Sequence, residues 1–513
     1  MEPFLLSGER RIGRAQLLEN AARAASGFHD LGIGADACIA YMLRNDFPAL
    51  EVLNAAGQIG ALPVPMNWHF GRKEAGHVLR DCAARALVVH EDLLPQIPLD
   101  AFPDLQILVV PVPPEIRAAY RAPAEPVAGH GGAAPARQDW HGWLAGHRPW
   151  TAPPPPSRGS MIYTSGTTGV PKGVRRKPAN AAQAAGSADL IARGFGVTPG
   201  LRTVMTGPLY HSATVSYGRA ATPIADAFVL MPRFDAEELL ALIERHRLSH
   251  MHMVPTMFVR LLRLPDEVKR KYDLSSLEFV VHGAAPCPVE VKRAMIDWWG
   301  PVIHEYYGST EASLITIASS ADWLKYPGTV GRPDPGRGFA ILGDDGRPVP
   351  QGEPGEIFAG LEGLSDFTYN GMDDKRAEID HDGMVTNGDV GFLNEEGYLF
   401  LCDRKRDMVI SGGVNIYPAE IEAEILTHPE IADCAVFGIP DEEFGEALAA
   451  AICLQPGSRL DAGGLKAYLQ DRMARYKLPR AIDFHAELPR EDSGKIFKQR
   501  LRQPYWEKAG RSI

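Results

Sequence analysis

The chain has 513 residues, with 53 Lys plus Arg against 64 Asp plus Glu and a formal net charge of −11 at pH 7. Its length indicates several domains or one large domain, and 45% hydrophobic with 23% charged residues is typical of an ordinary globular protein. A small disulfide-stapled scaffold and a disordered chain are therefore excluded. The acidic balance disfavours nucleic acid and anionic lipid as partners.

The N-terminal charges and the spacing of the cysteines favour a cytoplasmic location. Glu9, Arg10 and Arg11 come before any apolar run of signal-peptide length. The longest weakly charged stretch, residues 52–70, is interrupted by Asn and Pro and is not a membrane span. Six cysteines without CxxC spacing favour reducing conditions. We therefore expect a cytoplasmic protein without a transmembrane segment.

Short apolar runs alternate with helical patterns through the first three quarters of the chain. A capping-box pattern at Asp235 and Glu238, followed by an apolar stripe, predicts a helix. The alternation predicts an α/β fold. The predicted buried strands are residues 37–43, 86–90, 105–112, 203–209, 250–254 and 279–282.

Two changes in composition divide the chain. Residues 111–156 are rich in Pro, Ala and Gly, which predicts a loop or semi-rigid connector. Five consecutive charged residues at 403–407 precede an apolar run and two glycines, and they mark a domain boundary. We predict a large N-terminal α/β domain of several subdomains at residues 1–404 and a smaller α+β domain at residues 405–513.

The segment 163–174, YTSGTTGVPKGV, concentrates glycines, hydroxyls and one lysine after a strand-like run. Glycines permit close backbone approach, while amides, hydroxyls and an ammonium solvate phosphate oxygens. The spacing is not that of a P-loop. A flexible linker is the alternative, but it predicts neither the apolar lead-in nor the Pro-Lys-Gly that ends the segment.

This string resembles the signature loop of the adenylate-forming enzymes, which include acyl-CoA synthetases, firefly luciferase and the adenylation domains of peptide synthetases. The resemblance extends over nearly the whole chain and implies that the C-terminal domain is mobile. The other motifs follow in family order: GAAP at 283–286, EYYGSTE at 305–311, NGD at 387–389, DRKRDMVISGG at 403–413 and PREDSGK at 489–495.

The resemblance implies a nucleotide site built from several segments. Taken alone, residues 283–286 fit a simple turn, the two tyrosines fit the core, and Asp389 with Arg404 fits a solvated turn. The implied ATP and AMP contacts are Thr164, Ser165, Gly166, Thr167, Thr168, Gly169, Gly283, Ala284, Ala285, Pro286, Tyr306, Tyr307, Gly308, Ser309, Thr310, Asp389 and Arg404.

Four residues are candidates for catalysis: Lys172, His211, Glu311 and Lys495. The Glu311 carboxylate beside hydroxyls suits Mg²⁺, and the resemblance implies Glu311 and Thr168 as metal contacts, whereas alone it fits a first-turn helix glutamate. His211 corresponds to a position near the acyl pocket, although a lone histidine is more often structural. Lys495 fits a solvated surface lysine when taken alone. By resemblance it is the mobile lysine that reaches the substrate carboxylate and the phosphates.

The resemblance also implies two half-reactions separated by a rotation of the C-terminal domain about a hinge at Arg406. Ser411, Gly412, Gly413 and Lys477 would then contact CoA. Candidate pocket residues, taken from motif adjacency, are Ser212, Val215, Tyr217, His252 and Ala312.

The predicted function is that of an AMP-forming acyl-CoA synthetase, an acid–thiol ligase of fatty acid metabolism. It would convert a fatty or bulky aliphatic carboxylic acid with ATP and Mg²⁺ to acyl-AMP plus pyrophosphate, and then transfer the acyl group to CoA. The alternatives are a ligase with a carrier protein or other acceptor, and a non-catalytic acyl or nucleotide sensor. The expected partners are small molecules and not nucleic acid, and a homodimer is one alternative for the oligomeric state.

Overall fold

The computed structural model describes residues 2–122, 137–156, 158–164, 171–411, 414–442, 444–470, 472–490 and 496–509. The strands are β1 (Phe4–Ser7), β2 (Arg10–Gly13), β3 (Cys38–Met42), β4 (Leu62–Pro65), β5 (Ala86–His90), β6 (Gln106–Val110), β7 (Arg137–Asp139), β8 (Ile162–Thr164), β9 (Lys172–Arg176), β10 (Arg202–Met205), β11 (Ala227–Leu230), β12 (His250–Met253), β13 (Phe279–His282), β14 (Ile303–Ser309), β15 (Ser313–Ala318), β16 (Thr329–Pro333), β17 (Phe339–Leu342), β18 (Gly355–Ala359), β19 (Phe367–Tyr369), β20 (Asp380–His381), β21 (Met384–Leu393), β22 (Leu399–Arg404), β23 (Val409–Ser411), β24 (Val414–Ile416), β25 (Ile431–Asp441), β26 (Gly445–Leu454) and β27 (Ala481–Phe484). The helices are α1 (Arg14–Asp30), α2 (Phe47–Ile59), α3 (Arg72–Asp81), α4 (Pro114–Tyr120), α5 (Trp140–Ala145), α6 (Ala181–Phe195), α7 (Ser212–Ala221), α8 (Ala236–His246), α9 (Pro255–Leu262), α10 (Asp266–Lys269), α11 (Val289–Trp299), α12 (Ser320–Lys325), α13 (Asp373–Glu378), α14 (Pro418–Ile425), α15 (Ala462–Gln470) and α16 (Lys498–Lys508).

Within the described residues these strands form four sheets. A five-stranded sheet in the order β4-β3-β5-β6-β7 is parallel throughout. A 14-stranded sheet has the order β17-β18-β21-β22-β16-β15-β14-β13-β12-β10-β11-β1-β2, with β20 beside β21. Its section from β14 to β11 is parallel. A small antiparallel sheet, β19-β9-β8, and a sheet of order β24-β23-β26-β25 with β27 beside β26 complete the set.

The parallel strands are apolar and buried, as expected where helices cover both faces of a sheet. This arrangement confirms the predicted α/β fold. All six predicted strands are present, although the run at 203–209 leaves the sheet after Met205. The predicted helix is also present as α8, and the Asp235 side chain accepts a hydrogen bond from the Glu238 backbone N–H at 2.9 Å.

The prediction of a plain connector at residues 111–156 is wrong for much of its described part. That stretch contains α4, β7 and α5. Trp140, Trp143 and Leu144 of α5 are buried against the first helices of the chain, so a few large apolar side chains outweigh the Pro-rich average. Residues 123–136 lie outside the described residues. Among the described helices, none is both long and apolar enough to cross a bilayer.

Candidate active site

The β8–β9 hairpin carries the phosphate-loop motif. Thr164 at the end of β8 pairs with Lys172 at the start of β9, so the strands bring together the two ends of the motif. Next to Thr164, the hydroxyl of Tyr163 donates to Asp81 Oδ2, and Asn370 Nδ2 donates to the Asp81 carbonyl oxygen at 2.7 Å. The hairpin is thereby anchored to α3 and to the end of β19.

Glu311 follows β14 and is held from the small sheet. Tyr369 Oη donates to Glu311 Oε1 at 3.0 Å. Arg176 Nη2 donates to the carbonyl oxygens of Thr310 at 2.7 Å and Glu311 at 2.8 Å. Burial lowers the pKa of Arg176 to about 10, so the guanidinium stays charged at neutral pH. Burial and the Glu311 charge raise the pKa of Tyr369, which therefore keeps the proton that it donates.

The backbone around the GAAP motif is unusually constrained. Ala284 has φ +67°, a left-handed conformation that costs energy for a residue with a Cβ. At Gly283 a Cβ would lie 2.5 Å from Cε1 of Tyr306. At Gly308 it would collide with the carbonyl oxygen of Ser313. Glycine is thus required where β13 and β14 end, beside the short segment with Ala285 and Pro286.

Asp389 is the centre of a second polar group. Asp389 on β21 lies opposite Arg404 on β22. Its two carboxylate oxygens accept hydrogen bonds from different donors, Tyr307 Oη at 2.8 Å and Arg404 Nε at 3.1 Å. The three predicted nucleotide residues are therefore brought together. Tyr307 points its hydroxyl at the acidic residue, whereas Tyr306, the next residue on β14, points elsewhere.

Tyr306 belongs to a buried aromatic cluster, which we call the aromatic floor and define as Phe195, Tyr217, His252 and Tyr306. His252 Nε2 and Tyr306 Oη are hydrogen bonded at 3.0 Å, and the Phe195 ring meets the Tyr306 ring edge-on at 5.1 Å. Burial and the nearby His211 lower the pKa of His252 to about 4, so its imidazole is neutral at neutral pH. The aromatic floor contains two of the candidate pocket residues, and it lies next to the GAAP turn.

His211 occupies the N-cap position of α7. The loop before it is hydrogen bonded to two residues of the five-stranded sheet region, and we call these contacts the Asn45 clamp. Asn45 is buried, and its Nδ2 donates to the carbonyl oxygens of Gly207 and Met231, while its Oδ1 accepts from the Leu209 N–H, each at 3.0 Å. Tyr41 Oη donates to the Leu209 carbonyl oxygen at 2.8 Å. The loop that carries His211 is therefore held by one side chain of β3 and one that follows it.

The predicted hinge lies beside contacts that connect β22 to α14. Asp403 Oδ2 accepts from the Ala419 N–H at 2.8 Å, and this bond spans Arg406 in sequence. Burial raises the pKa of Asp403, while burial and Arg404 lower the pKa of Arg406. Arg263 Nη2 also donates to the Ala432 carbonyl oxygen at 2.9 Å, so a second bond joins α9 and its following turn to β25.

Two of the predicted CoA contacts, Ser411 and Lys477, lie in the described part of the C-terminal domain. Ser411 ends β23, opposite Val414 and Gly445. Lys477 Nζ forms an ion pair with Glu420 Oε1 at 2.5 Å. Arg490 and Ile496, which flank the segment with Lys495, pair in an antiparallel bridge.

Sequence motifs identified most of this constellation, but not all of it. Tyr369 and Arg176 were missed because neither lies in a motif that indicates phosphate chemistry; their role is visible only once β9 pairs with β19. Several predicted residues lie outside the described part of the chain: Ser165, Gly166, Thr167, Thr168, Gly169, Gly412, Gly413 and Lys495.

The donor set fits a magnesium ion that arrives with a nucleotide. Among the described residues no cluster of three or more His, Cys, Asp or Glu side chains has metal-binding geometry. Mg²⁺ at phosphate sites commonly takes one or two protein carboxylates and completes its shell with phosphate oxygens and water. One carboxylate, Glu311, next to the phosphate hairpin is compatible with that mode.

Family models match most of the chain. Residues 2–365 match the model described as AMP-binding enzyme, and residues 420–495 match the model described as AMP-binding enzyme C-terminal domain. The predicted boundary between residues 404 and 405 falls between the two matches and remains a prediction.

Individual relatives and a solved structure also resemble this chain over nearly its whole length. The indoleacetate–CoA ligase of Aromatoleum aromaticum is 34% identical over 502 residues, which cover 96% of this chain and 93% of the relative. A feruloyl-CoA synthase of an Amycolatopsis species is 31% identical over 500 residues, which cover 97% and 95%. The structure of ATP-bound MatB from Rhodopseudomonas palustris has a TM-score of 0.83 at 25% identity, and the match covers 98% of this chain and 96% of that chain.

These findings confirm the predicted family, fold class and enzyme class. The chain belongs to the AMP-binding enzymes, in the acyl-CoA synthetase branch of the adenylate-forming superfamily, and is an AMP-forming acid–CoA ligase.

Proposed function

We propose that this ligase activates a compact aryl or arylalkyl carboxylic acid with Mg²⁺ and ATP, and transfers the acyl group from acyl-AMP to CoA. The observation that carries the proposal is the convergence of two groups on the ends of β9 and β14. Lys172 with Tyr369 and Glu311 forms one group, and Tyr307 with Asp389 and Arg404 forms the other.

The first half-reaction is limited by charge. The substrate carboxylate must approach the α-phosphate, and like charges about 4 Å apart repel by roughly 4 kcal/mol at an effective dielectric near 20. In our proposal Lys172 and, from the C-terminal domain, Lys495 offset this repulsion. A bound Mg²⁺ would neutralise phosphate charge. The carboxylate oxygen bonds to the α-phosphorus, and the bond to the departing pyrophosphate breaks.

Each nucleotide residue has a proposed task that follows from its position. Thr164 and residues 165–169 would bind the phosphates, and Glu311 would hold the Mg²⁺. Asp389 accepts hydrogen bonds from the ribose hydroxyls and Arg404 keeps it oriented. The adenine ring lies against residues 283–286, with Tyr307 beside it, and residues 308–310 form the turn that leads to Glu311.

The aromatic floor supports the choice of a compact acid. Tyr306 fills the space directly against Gly283, and all four members of the floor are buried. We propose that this cluster closes one end of the acid pocket, where it would suit a flat ring, which packs edge-on or offset against other rings, better than a long flexible chain. The floor carries no charge when His252 is neutral, so the ammonium of an amino acid would have no partner there.

The relatives support the same choice over the fatty acid predicted from sequence, which stays untested. Two relatives above 30% identity that match nearly the whole chain are named for indoleacetate and ferulate, which are both aromatic acids, whereas a medium/long-chain-fatty-acid–CoA ligase of Mycobacterium tuberculosis matches the whole chain at 29%. We propose that His211, held by the Asn45 clamp, faces the carboxylate end of such an acid.

The second half-reaction needs different groups at the same place. We propose that the C-terminal domain rotates about Arg406, so that Lys495 leaves and the segment Ser411–Gly413 lines the path of the CoA thiol, with Lys477 near its phosphates. Lys477 would first have to leave Glu420. The thiol proton passes to solvent, the sulfur bonds to the acyl carbon, and the bond from that carbon to the phosphate oxygen breaks, so that AMP departs.

A panel of acids tests the proposal. Acid-dependent exchange of labelled pyrophosphate into ATP would be measured with indoleacetate, ferulate, octanoate, palmitate and phenylalanine, and the thioester would be identified after CoA is added. We expect kcat/KM for the best aryl acid to exceed that for palmitate by at least tenfold, since each methylene misfit is worth about 10-fold or more.

The outcomes separate the parts of the proposal. No exchange with any acid would contradict adenylation, and preference for palmitate would contradict the compact substrate alone. Acyl-AMP that forms but is not captured by CoA would favour a carrier protein as the acceptor. Tyr306→Ala removes the ring against Gly283, and it should raise kcat/KM for octanoate relative to the aryl acid.

A further inference from the structure

Tyr369 lies between the two residues that are proposed to face the ATP phosphates. It is the last residue of β19 and pairs with Val174 of β9, two positions after Lys172. Its hydroxyl donates to Glu311 Oε1 at 3.0 Å, and the centre of its ring is 5.8 Å from Lys172 Nζ. The same buried side chain therefore contacts the proposed metal residue through its polar end and the proposed phosphate lysine through its ring.

The strands around Tyr369 make this position rigid. The Asn370 N–H donates to the Gly173 carbonyl oxygen at 2.8 Å, which closes the β19–β9 pair beyond Tyr369. From β9, Arg176 donates to the carbonyl oxygens of Thr310 and Glu311. The main chain of Glu311 is therefore held from β9, while its side chain is held from β19.

Tyr369 contacts two side chains of opposite charge. Within the described residues no ion pair joins Lys172 to Glu311, and each of them contacts Tyr369 instead. The neutral hydroxyl occupies one carboxylate oxygen, and the ring offers the ammonium a weaker cation–π contact. Neither charge is neutralised by the other, so both stay available to a nucleotide.

We propose that Tyr369 is a positioning residue, which holds the Glu311 carboxylate in the orientation that receives Mg²⁺-bound ATP and prevents its collapse onto Lys172. This inference rests on the proposed function of both residues. Its distinguishing consequence is that the Tyr369 hydroxyl matters for nucleotides that carry Mg²⁺ on their β- and γ-phosphates. It should matter little for AMP, which lacks the β- and γ-phosphates and the Mg²⁺ that they carry.

Binding measurements on the full chain without acid or CoA test the inference. Calorimetry would give dissociation constants for AMP and for a non-hydrolysable ATP analogue at several Mg²⁺ concentrations. For Tyr369→Phe we expect binding of the Mg²⁺–ATP analogue to weaken about tenfold, the effect of one lost hydrogen bond to a charged group, and AMP binding to change less than twofold. Tyr369→Leu, which also removes the ring, should weaken binding of the Mg²⁺–ATP analogue further.

Tyr398→Phe is the matched control, because Tyr398 Oη donates to Asp322 Oδ1 at 2.7 Å away from the nucleotide group. It should bind both nucleotides like the wild type. Equal binding of the Mg²⁺–ATP analogue by Tyr369→Phe and the wild type, or equal weakening of AMP, would overturn the inference. If the wild type binds the analogue but no acid supports exchange, the proposed function fails, while the binding comparison still decides the role of Tyr369.

Discussion

Among the candidate residues, Glu311 is the one whose charge the proposed mechanism needs most. Glu311→Gln keeps an oxygen that can accept from Tyr369 but removes the negative charge. We expect turnover to fall on the order of 10² or more, since a group aimed at developing charge typically contributes that much. Pyrophosphate exchange at several Mg²⁺ concentrations measures the effect. An unchanged Mg²⁺ dependence would show that Glu311 does not serve the metal.

The site residues also show which members of the site a sequence motif can identify. Lys172 could be nominated because it lies in a pattern that suits phosphate, and Glu311 and Asp389 because their motifs match the family in order. Tyr369 and Arg176 could not, since they lie 58 and 135 residues from Glu311 and meet it only through strand pairing. The roles of Tyr306 and Tyr307 also needed the structure, because one turns to His252 and the other to Asp389.

At the scale of elements, the clamp between the β3–α2 connection and the His211 loop predicts a selective defect. Asn45→Ala leaves two buried carbonyl oxygens and one N–H without their side-chain partner. We expect KM for the acid to rise about tenfold, because misplacement by 1 Å costs up to 10²-fold, while the Kd of ATP stays unchanged. Steady-state kinetics and calorimetry measure the two quantities.

Asn54→Ala is the control for the clamp, because Asn54 Nδ2 donates at 2.8 Å to the Leu50 carbonyl oxygen of its own helix. It should change neither quantity. If Asn45→Ala has a lower melting temperature but normal kinetics for both substrates, the clamp stabilises the fold and does not position the acid.

The packing of α1, α2 and α5 predicts a dependence of stability on pH. Glu51 of α2 accepts from Asn20 Nδ2 at 2.8 Å and from Trp140 Nε1 at 2.9 Å, and burial raises its pKa from 4.5 to about 7. Between these values the folded chain keeps a proton that the unfolded chain has lost. Its contribution is fully present below about pH 4.5 and is lost as the pH rises through 7.

We therefore expect the free energy of unfolding to fall by up to about 3 kcal/mol from Glu51 between pH 5 and pH 8. Glu51→Gln should remove most of this decline and be the more stable protein at pH 8. Thermal unfolding at several pH values measures it. Glu19→Gln, which alters a more exposed glutamate on α1, is the control. A wild-type slope in Glu51→Gln would contradict the assignment.

Elements were predictable where the hydrophobic pattern was local. The strands at 86–90 and 279–282 and the capped helix α8 follow from short apolar runs and one capping residue. The connector at 111–156 was misjudged because its average composition concealed Trp140 and Trp143. The path of the run at 203–209 after Met205 was not predicted, and there its backbone is hydrogen bonded to Asn45, which follows β3 of a different sheet.

For the whole molecule, the proposed mechanism requires two arrangements of the C-terminal domain around one site. The described arrangement joins this domain to the N-terminal part through Asp403 with Ala419 and through Arg263 with Ala432. Lys477 is paired with Glu420. The second arrangement was not visible in composition or spacing, because a rotation depends on two packings of the same residues. It came only from the family resemblance.

The measurement that tests this account most directly is the separation of the half-reactions in Lys495→Ala, with Lys508→Ala as the surface-lysine control. We predict that acid-dependent pyrophosphate exchange falls on the order of 10² or more, because Lys495 serves the adenylation arrangement alone. Conversion of supplied acyl-AMP and CoA to the thioester should stay near the wild-type rate. Equal loss of both half-reactions would contradict the two arrangements.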